Sequence, residues 1–186
     1  MADYTDNALL ASIKALDAVV SPAVDPTDPL AGEQLRLVSG FLKFLRARLF
    51  HVHDRNRFEL EHYLALGEGL AADARLASPE VSQRLDSAIE EAQALLRRPR
   101  PAVDELRSAT AALSAPISGL VRVVADADPV LRQRVEQAVL VGSKPWVDMQ
   151  RAWFVLQGFE LHADELPSLD EALRATSRPR AAAARN

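Results

Sequence analysis

From Pro29 to about Ala77, apolar side chains recur at steps of three and four residues. Leu35, Val38, Leu42, Leu45, Leu49, Val52, Asn56, Glu59, Tyr63, Leu66 and Leu70 fall on one stripe, the spacing that one face of an α-helix requires. No proline interrupts the run after Pro29, so the pattern predicts a single helix roughly 70 Å long at about 1.5 Å per residue. Gly67 and Gly69 are the expected points of a bend or early end, because glycine weakens a helix interior by about 1 kcal/mol relative to alanine. A second stripe alongside begins with Leu37, Phe41 and Phe44 and then turns polar through Arg48, His51, Arg55, Glu59 and His62. The helix therefore carries a broad apolar face on its first half and a polar inlay on its second.

Shorter helices are expected on either side. The first starts at Thr5 or Asp6 as N-cap and runs to Val20, burying Leu9, Ile13, Leu16 and Val20. Ser21 to Pro29 holds three prolines and breaks it. Asp28-Pro29 then caps the long helix. Ser78-Pro79-Glu80 repeats that signal and opens a helix carrying Val81, Leu85, Ala88, Ala92 and Leu95, which Arg97 to Pro101 stops. The next presents Leu106, Thr110, Leu113, Ile117, Leu120 and Val124, with a kink expected at Pro116. Asp126 to Pro129 caps a helix through Leu131, Val135, Ala138 and Val139, and Gly142 to Pro145 is expected to break it. A further helix then places Trp146, Met149, Trp153 and Leu156 on one face. Ser168 and Glu171 have the spacing of a capping box for a short last helix. No strand-like alternation runs longer than a few residues. The expected fold is all-α: an antiparallel bundle of about six helices around one long central helix at about 29–77, forming a single domain over 1–176 with a disordered tail at 177–186.

Composition narrows the function classes. Apolar residues make up 48% and aromatics only 5% of the 186 residues, so the core must be mostly Leu, Ala and Val in closely packed helices. The net charge of −4 is too mild for a nucleic-acid partner, and no domain-sized basic patch is visible. With no cysteine, disulfides, thiol catalysis and thiolate metal sites are excluded, and a reducing cytoplasm suits the chain. The first residues carry acids where a secretory signal carries positive charge. No apolar run approaches the ~20 residues that span a bilayer. The chain is therefore read as cytoplasmic, with no membrane partner.

The polar inlay is the candidate chemistry. His51 and His53 are two residues apart and point to opposite sides of a helix, so they cannot chelate one ion together unless the helix breaks there. Glu59 and His62 form an E-x-x-H pair on one face, as in carboxylate-bridged di-iron bundles. Those sites need a second such pair, and none of His51, His53 or His162 has a glutamate three residues before it. Glu59 and His62 are thus weak metal candidates, and no cofactor is expected. An ion-pair network of Arg55, Glu59 and His62 along the helix, with His51 beside it, accounts for the same residues. Asn56 and Glu59 also interrupt the seam itself, where polar residues fix register or partner choice. A ligand cleft is the other use of the cluster, with His51, Arg55, Asn56, Glu59 and His62 facing Trp146, Trp153 and Glu160. No phosphate loop, nucleophile elbow or paired catalytic carboxylates are present, so no catalytic residue is assigned.

The opening, DNALLASIKALDAVVSPAVDP followed by LAGEQLRLVSGFLKFL, resembles the start of a group of small helical bacterial proteins. Members of that group are encoded near aminoglycoside-phosphotransferase-like kinases and acyl-CoA dehydrogenases. The likeness covers about the first quarter of the chain and carries no chemical motif. It implies an accessory role near acyl-CoA or phosphoryl metabolism. The expected function is a non-catalytic interaction or accessory subunit, acting as a homo-oligomer or with a protein partner. The alternative is a bundle that binds an acyl or aromatic small molecule, or a metal-dependent enzyme, through the polar cluster.

Overall fold

The computed structural model describes residues 4–175; the tail expected at 177–186 lies outside the described residues. Every regular element among the described residues is helical. The helices are α1 (Tyr4–Ala15), α2 (Ser21–Ala23), α3 (Pro29–Arg48), α4 (Val52–Ala77), α5 (Pro79–Leu96), α6 (Val103–Val124), α7 (Pro129–Phe154) and α8 (Leu169–Arg174). The long helical run from Pro29 to Ala77 is present, with one 3-10 turn at Leu49–His51 joining α3 to α4. Its start is set as the sequence predicts: the Asp28 carboxylate accepts the Ala31 N–H at 3.0 Å. The chain divides into two compact units. One holds the described residues up to His51 together with Trp153–Leu161; the other holds Val52–Ala152 and the described residues from His162 onward.

In the larger unit α4 is the central element, packed on α5 and α6. Leu60, Leu70 and Ala74 of α4 meet Leu85 and Ala92 of α5, and Leu106, Leu113, Leu120 and Val124 of α6. Local chemistry sets the boundaries. Ser78 caps α5 by accepting the Val81 N–H. Asp128 Oδ2 accepts from Val130 and Leu131 at the start of α7. Ser168 and Glu171 form the reciprocal capping box of α8. Asp73, buried near the end of α4, accepts from Arg134 Nε at 2.7 Å, tying α7 to α4.

α4 does not end at Gly67 or Gly69 but runs on to Ala77. A Cβ on Gly67 would lie 3.2 Å from Leu85 Cδ1 and 3.6 Å from Leu113 Cδ2, so the glycine lets three helices approach closely. Gly67→Val should therefore lower stability by about 1–3 kcal/mol through overpacking. Gly40 of α3 has nothing within 4 Å of the same position, and Gly40→Ala should raise stability by about 1 kcal/mol. Denaturant midpoints of the two variants moving in the same direction would contradict this reading of Gly67.

The break expected at Gly142 to Pro145 does not occur, and no separate helix begins at Trp146; α7 runs through both. A Cβ on Gly142 would meet Leu66 Cδ1 at 2.8 Å, so this glycine also serves a close helix approach. Ser143 Oγ donates to the Val139 carbonyl at 2.7 Å within the helix. Pro145 removes only its own bond to the Val141 carbonyl, and Val141 itself is exposed.

In the smaller unit α1 continues through a π turn, Leu16–Val20, into α2. The helical run therefore extends into the proline-bearing segment, with Pro22 inside α2. Ile13 is buried as expected, whereas Val20, the last residue of the π turn, is exposed. Asp6 is not the N-cap of a helix that already includes Tyr4. Its carboxylate instead accepts two bonds from Arg46 of α3, at 2.7 and 3.0 Å, which holds its pKa below the usual carboxylate value. Asp17 likewise takes Ser39 Oγ at 2.6 Å and Lys43 Nζ at 2.8 Å.

Candidate functional site

Within the larger unit the inlay on α4 is locked into its neighbours. Arg55 Nε donates to Glu59 Oε1 at 3.1 Å, the pairing that their spacing of four residues predicts. Gln150 of α7 closes a ring on that pair. Arg55 Nη2 donates to Gln150 Oε1 at 3.2 Å, and Gln150 Nε2 donates back to Glu59 Oε1 at 3.3 Å. Asn56, buried beside them, donates to the Val52 carbonyl at 2.7 Å and accepts from Arg107 Nε of α6 at 3.1 Å. His53 Nε2 lies 3.1 Å from the Pro101 carbonyl, a donor contact in the tautomer that carries its proton on that nitrogen.

His62 is different in kind. It is only 4% exposed, lies parallel to the Phe58 ring at 6.4 Å and meets Tyr63 edge-on at 5.4 Å. Burial drives its pKa down from 6.5 to about 4, so the imidazole is neutral at physiological pH. One side of this region opens as a cleft of about 410 Å³ between α4, α6 and α7. His62 and Tyr63 line it from α4, Ser118 and Arg122 from α6, and Ser143 and Trp146 from α7, with aliphatic side chains between them.

The cluster named from the sequence is thus divided. Arg55 and Glu59 join through Gln150, Asn56 turns to Arg107, and His62 and Trp146 share the cleft. His51, Trp153 and Glu160 belong to the smaller unit. There Trp153 is buried against Phe44, and Arg48 donates from Nε to the Trp153 carbonyl at 2.8 Å. The Arg48 guanidinium lies 5.8 Å and 5.7 Å from the Phe44 and Trp153 ring centres, within cation–π range.

Glu59 Oε1 accepts from both Arg55 and Gln150, so this oxygen is committed to the ring. Among the described residues no group of three or more His, Asp or Glu is placed to hold a metal ion. No described helix is long and apolar enough to cross a membrane. Gln150, Arg107, Ser118 and Arg122 were missed by sequence reasoning, since each reaches the site from another helix and no local spacing marks it.

Comparison with family models, curated proteins and solved structures finds no match for this chain.

Proposed function

We propose that the protein is a non-catalytic, cytoplasmic interaction module that pairs with a second copy of itself through α3. The observation that carries this reading is the apolar face of that helix. Leu30, Leu37, Val38 and Phe41 are 67%, 55%, 50% and 58% exposed, on positions that share one side of the helix. Singly exposed apolar residues are ordinary, but a stripe of them on one helix marks a contact surface. Phe50, Leu156, Phe159 and Leu161 of the same unit are exposed as well. Glu33 and Arg36 pair beside Leu37, so a polar rim flanks the stripe.

The inlay bears on the non-catalytic part of this reading alone. Its Arg, Glu and Asn side chains answer one another across helices, the arrangement of a network that fixes register between α4, α6 and α7. The absence of cysteine suits a reducing compartment. The accessory role near acyl-CoA or phosphoryl metabolism that the N-terminal resemblance implies belongs to this proposal.

Sedimentation velocity over a concentration series tests it. The parent protein should shift from monomer to dimer, and Leu37→Glu combined with Phe41→Glu should remain monomeric with its helical circular dichroism intact. A parent that sediments as monomer throughout removes the proposal.

A further inference from the structure

The cleft between α4, α6 and α7 lies within the larger unit and has features that pairing through α3 does not use. Its lining is aromatic and aliphatic, with Tyr63 and Trp146 each half-buried at its walls and the neutral His62 ring beside them. One formal charge reaches it, the guanidinium of Arg122. No carboxylate of the described residues stands within ion-pair distance of Arg122, and no aspartate or glutamate lines the cleft. The Ser118 and Ser143 hydroxyls add neutral polar atoms, and Ser143 already spends its proton on the Val139 carbonyl, which leaves its oxygen as an acceptor. An apolar, ring-lined hollow with one uncompensated cation is complementary to a ligand with an apolar ring and one negative charge.

The neighbouring groove shows that this is not a property of every hollow on the surface. That groove, about 590 Å³ between α5 and α6, shares Arg122 but also holds Arg84 and Glu91. Arg84 is paired with Glu80, and Glu91 supplies the negative charge that the first cleft lacks. Of these two hollows of the described residues, the cleft beside Trp146 is the one that pairs stacking surfaces with a positive charge and no carboxylate.

We propose that this cleft binds a small aromatic carboxylate, its ring against Trp146 and Tyr63 and its carboxylate on Arg122. The probe is phenylbutanoate, compared with the neutral phenylbutanol of the same shape. Binding is read from tryptophan fluorescence and confirmed by calorimetry on the full chain. The acid should give a saturable change that is lost in Trp146→Phe, and should bind about tenfold more tightly than the alcohol, the factor expected of one charge-assisted hydrogen bond. Arg122→Gln should bring the acid down to the alcohol's affinity, and Arg122→Lys should restore part of the difference. Arg122 lies on the exposed side of α6, so neither variant threatens the fold. Acid and alcohol binding equally, a signal that survives Trp146→Phe, an Arg122→Gln protein that binds the acid like the parent, or no saturable change at all would each overturn the assignment.

Discussion

Replacing Leu70 with alanine is expected to lower folding stability by about 3 kcal/mol, the middle of the range for a buried leucine whose cavity stays open. Leu70 is wholly buried among Leu85, Leu113 and Leu120 and their neighbours. A single residue, Ser78, separates α4 from α5, and Gly67 already brings α4, α5 and α6 into close contact one turn earlier. The helices therefore have little freedom to move inward and fill the space. Phe41→Ala provides the contrast. Phe41 is the larger side chain, yet it is mostly in water, and its removal should change monomer stability by less than about 1 kcal/mol. Under the pairing proposed for α3 it should weaken self-association instead. Urea unfolding at a protein concentration low enough to keep the chain monomeric measures both. Equal losses for the two variants would mean that α4 is not the centre of the larger unit's core.

The periodicity shows most of this arrangement because a core-facing helix leaves its mark every three or four residues. The starts of α3, α5, α7 and α8 are legible for a related reason: Asp28, Ser78, Asp128 and Ser168 act on N–H groups two or three positions away, inside the same short window of sequence. Gly142 and Pro145 mislead because a close approach to Leu66 from another helix is invisible along the chain, whereas glycine and proline as breakers are familiar local signals. The π turn at Leu16–Val20, which ends on the exposed Val20, has no composition of its own. The change of compact unit between His51 and Val52 likewise leaves the spacing of apolar residues undisturbed.

Legibility of the candidate site follows the same division. The Arg55–Glu59 pair is readable from its spacing, but Gln150, which completes the ring, is not. His62 can be placed on the inlay from the sequence, yet its burial depends on the packing of α6 and α7. Excess apolar surface on α3 could be anticipated from two adjacent stripes meeting only short neighbouring helices, and Leu37, Val38 and Phe41 do remain exposed.

Acidification should destabilise the protein through His62 before most of its carboxylates respond. In the folded chain burial lowers this imidazole from 6.5 to about 4, whereas in the unfolded chain it titrates near its ordinary value. Between those two limits the unfolded state binds a proton that the folded state does not, so stability falls as pH falls. The contribution is fully present above about 6.5 and is lost progressively down to about 4. Its total is about 3.5 kcal/mol, since each unit of difference corresponds to about 1.4 kcal/mol. Asp6, Asp17 and Glu105 are also held low by their partners, but the ordinary values of such carboxylates, 3.8 and 4.5, put that loss at the acid end of the window. His62→Phe keeps a flat ring beside Phe58 and Tyr63 and removes the titration. Its stability should therefore change less than the parent's across the upper half of the window, whatever the substitution costs at neutral pH. Parallel stability–pH curves for the two proteins over that interval would show that His62 takes up its proton without unfolding, and that the ring is more accessible to water than its packing implies.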